Sequence, residues 1–277
     1  MTDPSPIILQ YDAAHPQHHE RAVSDLLLGM KRWRLAWALA RGDISYRYRG
    51  SVLGPLWMTI STAVMLLSLG FLYAKLFQLE LADYLPWLAV SLILWNMISQ
   101  TLGDACAAIT SAEMVVRQIS LPYSVQATRI VFRGAIIAAH NLPLIGVVFL
   151  VFDIGPGWVM LGAVPGIMLV AINAFAAAIL LGMLCARFRD IPQIVASTVQ
   201  IAFFITPVIW KPELIGDGQF WLVFNPFFVV METMRAPILG ATASLAVWAA
   251  ALLFTGVFCL FTFSFFVRFR SRIAFWV

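Results

Sequence analysis

Six stretches of this chain are apolar for long enough to cross a lipid bilayer, and that leaves few folds open to it. They cover residues 54–77, 84–103, 131–152, 158–186, 191–210 and 245–267. Each reaches the roughly 20 residues that a helix, rising about 1.5 Å per residue, needs to traverse about 30 Å of hydrocarbon. Hydrocarbon offers no water to backbone N–H and C=O groups, so each run must satisfy them internally, as a helix. The chain is therefore read as an all-α integral membrane protein with six transmembrane helices. Hydrophobic residues make up 61% of it and charged residues 12%, far from the balance of an average soluble domain.

Six crossings return a chain to the side on which it starts, and charge says which side that is. All 18 basic residues lie ahead of the first run, between the second and third runs or at the edge of the third, after the fourth, or in the C-terminal tail, except Lys75, Lys211 and Arg235. The positive-inside tendency places both termini on the cytoplasmic side of the inner membrane. These cations flank apolar runs, so anionic membrane lipid is the expected partner and nucleic acid is not. Residues 1–21 and 268–277 are read as cytosolic tails, the first of them disordered. His15, His18 and His19 fall in the first tail without a fixed scaffold or a fourth ligand, so no metal site is expected. Cys106, Cys185 and Cys259 are too scattered to suggest a disulfide framework.

Residues 22–50 read as an amphipathic helix lying in the cytoplasmic interface. Val23, Leu26, Leu27, Met30, Trp33 and Trp37 recur at the i, i+3, i+4 spacing of one helix face, with Ser24, Asp25, Lys31 and Arg32 mostly opposite. The helix leads into RGDISYRYRGSVLGPLW at 41–57, where Tyr46, Arg47, Tyr48 and Arg49 form a basic, aromatic cluster just ahead of the first run. Such residues suit a lipid–water boundary, where cations face headgroups and amphipathic rings sit at headgroup depth. They either orient the protein or bind something.

This stretch resembles the start of the first membrane helix in permease subunits of the ABC-2 polysaccharide exporters, the family of O-antigen, capsule and teichoic acid transporters. Tyr46, Arg47, Tyr48, Arg49, Ser51, Leu53, Gly54, Leu56 and Trp57 carry the likeness; Gly42 splits the family's usual Arg-Asp pair into Arg41 and Asp43. The resemblance implies a homodimer that works with two ATPase subunits and moves a polyprenyl-pyrophosphate-linked polysaccharide. Tyr46, Arg47, Tyr48 and Arg49 would then receive the pyrophosphate at the cytoplasmic interface.

Two further regions take roles from the same resemblance. Between the second and third runs, Glu113, Arg117 and Gln118 precede Leu121-Pro122, and Pro122 favours a helix break there. The family carries a coupling helix at this place, so these residues are expected to touch the ATPase; an ordinary solvated amphipathic loop would read the same. Arg187, Arg189 and Asp190 match the family's turn before its fifth helix and are expected as a second, smaller ATPase contact, though anchoring alone would also explain the arginines. Residues 220–239 are apolar enough for a seventh crossing, yet Asn225-Pro226, Glu232, Arg235 and Pro237 interrupt them. A seventh span would also export the basic tail, so a re-entrant or external helical pair is expected. In the resembled family short helices at this place cap the exit, which would put Asn225 and Pro226 at a gate. Trp57, Tyr73, Phe203 and Phe204 could offer flat apolar faces to sugar rings along the path.

The chain has no engine of its own. A phosphate-cradling Gly-x-x-x-x-Gly-Lys-Ser/Thr loop cannot be built, because Lys31, Lys75 and Lys211 are followed by Arg, Leu and Pro. No cofactor is expected in this chain; ATP and Mg belong to the partner ATPase. His140, in the third run, lacks an acid–base partner and is read as a hydrogen-bonding group between helices. Pro165 and Gly166 are expected to kink the fourth span. The competing readings are an ABC-2 permease for a drug, peptide or lipid, or a membrane glycosyltransferase, which would need a carboxylate or metal set that the scattered Asp43, Asp104, Glu113 and Asp190 do not supply. A scaffold or assembly protein is a third.

Overall fold

The computed structural model describes residues 18–112, 121–155 and 157–276. Their regular structure is helical throughout. The helices are α1 His18–Lys31, α2 Trp33–Arg47, α3 Leu56–Leu76, α4 Leu81–Cys106, α5 Tyr123–Val151, α6 Ala163–Arg187, α7 Ile191–Ile205, α8 Pro226–Ile238, α9 Leu245–Phe269 and α10 Ile273–Trp276. Glu113, Arg117 and Gln118, and with them the expected coupling helix, lie outside the described residues, as do residues 1–17 of the tail.

The helix α4 is the hub, packed against α3, α5, α6, α7 and α8. Of its most apolar stretch 61% is buried, against 17% for α3. A helix apolar all round belongs in a core, and Tyr84–Trp95 is such a run but for Ser91 and Pro86, with all but Trp87 buried. Most large apolar side chains of α3 and α9 point outward, whereas Leu66 and Phe266 are buried.

Among the described residues five helices are long and apolar enough to cross a membrane, where the sequence led to an expectation of six. The shortfall is α7, only 15 residues long, or about 22 Å of helix. The sequence explains the early stop. Pro207 disfavours helical geometry at Thr206, which is extended at φ −83°, ψ 137°. A 3-10 segment, Pro212–Phe224, follows and is broken at Gly216, whose φ of 52° favours glycine. The 220–239 stretch is likewise not one helix. It divides at Asn225, whose side-chain Oδ1 accepts from the N–H groups of Phe227 and Phe228 and so caps α8.

Residues 22–50, read as one helix, form two. The chain turns at Arg32 (φ −91°, ψ 24°), and α1 begins earlier, at His18, so His18 and His19 are helical; the His19 ring meets Phe263 edge-on at 5.4 Å. The apolar stripe is not the buried face. Leu27, Met30, Trp33 and Trp37 stay exposed, while Ala22, Asp25 and Gly29 of α1 and Ala36, Ala40 and Ile44 of α2 are buried, with both helices lying along α5. Small residues at that seam allow close approach, and the large ones are left for lipid.

In α6 the chain passes from a 3-10 turn, Gly157–Gly162, into the α-helix. Pro165 falls in the first turn of α6, where a missing N–H removes no internal hydrogen bond, so it need not bend the span. Gly166 serves packing: a Cβ there would lie 2.6 Å from the carbonyl oxygen of Thr233 on α8.

Candidate functional site

At the end of the bundle where α2 and α4 finish and α5 begins, five charged side chains form a ring. Asp43 and Arg47 sit one turn apart on α2, Arg129 and Arg133 one turn apart on α5, and Asp104 lies in the last turn of α4. Spacing of i, i+4 puts each pair on one helix face. Arg129 grips Asp43 with two nitrogens, Nε donating to Oδ2 at 2.7 Å and Nη2 to Oδ1, while its Nη1 donates to Gln126 Oε1 at 3.0 Å. Arg133 grips Asp104 in the same way, through Nε at 2.6 Å and Nη2, and reaches Asp43 through Nη1 at 3.4 Å. Arg47 completes the ring more loosely, 3.6 Å from Asp104.

The side chains of Asp43, Asp104, Arg129 and Arg133 are 12–18% exposed and that of Arg47 is 42% exposed. Two-point guanidinium–carboxylate pairs at that depth are the strong kind, and they tie α2 to α4 and α5. Together with Tyr46, Ser111 and Gln126 these groups line a cavity of about 370 Å³.

A third carboxylate, more deeply buried than Asp43 and Asp104, belongs to α1. Asp25 of α1 accepts from the backbone N–H groups of Tyr123 (3.3 Å) and Ser124 (3.1 Å), and pairs with Arg270 beyond α9 (Nε 2.9 Å, Nη2 2.8 Å). Ser124 Oγ lies 2.8 Å from the carboxylate and 2.6 Å from the Asp25 carbonyl, so its proton serves either. The N-terminus of α5 is thus capped by a carboxylate from a remote helix, where the helix dipole favours negative charge. Gly29 makes the approach possible: a Cβ there would sit 2.0 Å from Ser124 Oγ.

At the opposite end, the segment 206–209 after α7 is held from three sides. Asn225 Nδ2 donates to Thr206 Oγ1 at 3.0 Å, Arg235 Nη1 donates to the Pro207 carbonyl, and Tyr84 Oη donates to the Ile209 carbonyl. Arg235 is 1% exposed. It also donates to Ser91 Oγ at 3.1 Å, pairs with Glu232, and lies over the rings of Trp87 and Phe228. Burial lowers the pKa of this guanidinium, and the neighbouring Glu232 carboxylate offsets only part of that.

The structure scatters the residues singled out in the sequence. Tyr46, 79% exposed, and Arg47 line the cavity, while Tyr48 and Arg49 follow the end of α2. Arg187, Arg189 and Asp190 form an exposed turn at the same end, with the Arg187 guanidinium 5.3 Å from the Phe188 ring centre. Trp57 is exposed at the start of α3, and Tyr73 stacks on Phe77 near its finish. Phe203 packs on Trp95, whereas Phe204 points outward. Asn225 and Pro226 open α8 at the far end. The His140 ring bonds within its own helix, Nδ1 lying 2.8 Å from the Ile136 carbonyl, and it is the His140 backbone carbonyl that accepts from Thr59 of α3.

Sequence reasoning passed over Asp25, Arg129 and Arg133 as site residues. The usable signals were an acid, Asp25, among the apolar residues of α1, four residues before Gly29, and the one-turn spacing of two arginines at the head of an apolar run.

Compared with known proteins, residues 34–239 match the family described as ABC-2 type transporter. The chain belongs to the ABC-2 type transporter family. Its relatives include the O-antigen export system permease protein RfbA of Myxococcus xanthus, 24% identical over 234 residues, which takes in 78% of this chain and 90% of that protein. A protein of the same name from Klebsiella pneumoniae is 22% identical over 220 residues, 78% of this chain and 83% of the relative. The family match of this ABC-2 protein begins at Arg34 in α2 and ends at Leu239, just past α8, so it encloses the charged ring and the clasp around Arg235.

Proposed function

We propose that this ABC-2 protein is the membrane-spanning subunit of an ATP-driven exporter that carries a polyprenyl-pyrophosphate-linked, O-antigen-like polysaccharide across the inner membrane. The observation that carries the reading is the family match joined to relatives named as O-antigen export permeases, aligned over most of both chains. In this reading two copies of the chain pair with two ATPase subunits, which bind ATP and Mg, and this chain is no enzyme by itself. The short helix α7 completes a sixth crossing, both termini are cytosolic, and the charged ring faces the cytosol.

The substrate's lipid headgroup meets the protein near Tyr46, Arg47, Tyr48 and Arg49. The ATPase meets the stretch of chain that includes Glu113, Arg117 and Gln118, and also the Arg187, Arg189, Asp190 turn. At the far end α8, opened by Asn225-Pro226, covers the exit, and Trp57, Tyr73, Phe203 and Phe204 flank the route. The outward faces of α3 and α7, rich in large apolar side chains, are where a second copy would fit.

Reconstitution tests this directly. Proteoliposomes holding the chain with its cognate ATPase should move a lipid-linked glycan only when ATP is supplied. Translocation without nucleotide, or ATP turnover indifferent to the chain, would sink the proposal.

A further inference from the structure

A groove bounded by four helices, α1, α5, α6 and α9, shares no lining residue with the cavity of the charged ring. Leu26 and Met30 of α1, Ile172 and Ile179 of α6, and Phe263 and Phe266 of α9 line it, and none of its lining side chains is charged. Its volume of about 510 Å³ lies within the range of about 300–1,000 Å³ that small-molecule sites span. The long axis follows the helices. On α6 the lining runs from Ala171 to Ile179 and on α9 from Cys259 to Phe266, so the groove extends about 10–12 Å along each. Its two ends differ in character. Near Phe266, the pair of Asp25 with Arg270 fixes α1 beside the C-terminal end of α9. Exposed cations adjoin the lining here: Lys31 directly follows Met30, and Arg268 comes two residues after Phe266. Toward Ala171 and Cys259 the groove passes into outward-facing apolar surface, with Ile172 44%, Met168 60% and Leu260 68% exposed.

We propose that an anionic phospholipid, drawn from the leaflet that holds α1, lays one acyl chain in this groove with its phosphate toward Lys31 and Arg268, and so wedges α1 against α6 and α9. The groove matches such a molecule in two respects. It is apolar along a line parallel to the spans, as an alkyl chain lies, and its one charged border is positive, as a phosphate requires. In a bilayer no hydrophobic effect favours this seat over the surrounding lipid, so what holds the chain is close packing, and what selects the molecule is its charge. Met30, unbranched and polarizable, can mould to the chain from α1. The lipid is a structural component of the fold, whatever the protein transports.

The test places the full chain in phosphatidylcholine nanodiscs with increasing amounts of phosphatidylglycerol that carries a diazirine in its acyl chain. After irradiation and digestion, saturable labelling is expected on peptides covering 171–179 and 259–266. Unlabelled phosphatidylglycerol should compete and diacylglycerol should not. Ala171→Phe and Cys259→Phe fill the groove from two different helices. Each should cut the labelling about tenfold, the scale of a steric misfit, while Leu253→Phe, on the outward face of α9, should leave it unchanged. Lys31→Gln should weaken it about fivefold, the scale of one cation at a membrane surface. Size-exclusion elution matching wild type shows that a variant is folded, and two filling variants guard against the loss of one. Labelling that rises linearly with the probe, or that a folded filling variant retains, would overturn the site. Equal competition by diacylglycerol, or wild-type labelling of Lys31→Gln, would overturn the role of the phosphate.

Discussion

The guanidinium carbon of Arg235 lies 4.8 Å from the centre of the Trp87 ring, so the cation buried in α8 rests on the aromatic face of α4. The same side chain holds the Pro207 carbonyl and Ser91 Oγ. Those contacts join α8, the hub helix and the end of α7 through one residue.

Arg235→Ala should therefore destabilise the protein severely. Removing one partner of a buried, hydrogen-bonded charge costs about 3–5 kcal/mol, and here a backbone carbonyl is orphaned too. Ser91→Ala should cost less, about 1.5–3 kcal/mol, because it removes one acceptor of the charged donor and a bond to the Trp87 carbonyl while leaving the Pro207 contact in place. Unfolding in nanodiscs followed by tryptophan fluorescence separates the two, and comparable losses would contradict the ranking.

Asp25 makes a parallel case at the other end. Asp25→Ala strips the cap from α5 and frees Arg270, so backbone amides of Tyr123 and Ser124 should exchange with deuterium faster, along with those of α1. Gly29→Ala should give the same pattern, because a Cβ at that point meets Ser124 Oγ at 2.0 Å. Protection kept in both variants would mean that α1 is held by something else.

The charged ring predicts non-additivity. Asp43 and Arg129 share a two-point pair, so Asp43→Ala and Arg129→Ala, measured singly and together by denaturant unfolding, should couple by about 1–3 kcal/mol. A coupling near zero would reduce the ring to a surface arrangement.

Close helix contact gives the fourth test. Gly166→Ala pushes a methyl to within 2.6 Å of the Thr233 carbonyl oxygen. Overpacking of this kind typically costs about 1–3 kcal/mol, and the backbone, unlike a flexible side-chain tip, has little room to give. A thermal midpoint equal to wild type would show α6 and α8 free to part. Gly146→Ala, where a Cβ meets nothing within 4 Å, is the matched control.

What the sequence displayed and what it hid divide along physical lines. Run lengths reveal the long helices because bilayer thickness imposes them, and Asn225-Pro226 announces the start of α8 because capping is local. Thr206-Pro207 announces the end of α7 in the same way, yet the apolar run to Trp210 masks it, since hydropathy does not register hydrogen bonding. The orientation of α1 was hidden for a different reason. In a membrane protein the large apolar residues need not face the protein, so the stripe of Leu27, Met30 and Trp33 turned outward while Asp25 went in. Arg129 and Arg133 looked like loop cations because their carboxylate partners come from α2 and α4, a tertiary match invisible in a local window.

The brevity of α7 has a mechanical consequence. Helix covers about 22 Å where hydrocarbon is about 30 Å deep, and beyond it the Pro207 and Ile209 carbonyls are held by Arg235 and Tyr84. Past the end of α7, side chains of α8 and α4 thus do for the backbone what helical hydrogen bonds would otherwise do, and loss of either donor would strand a carbonyl away from water.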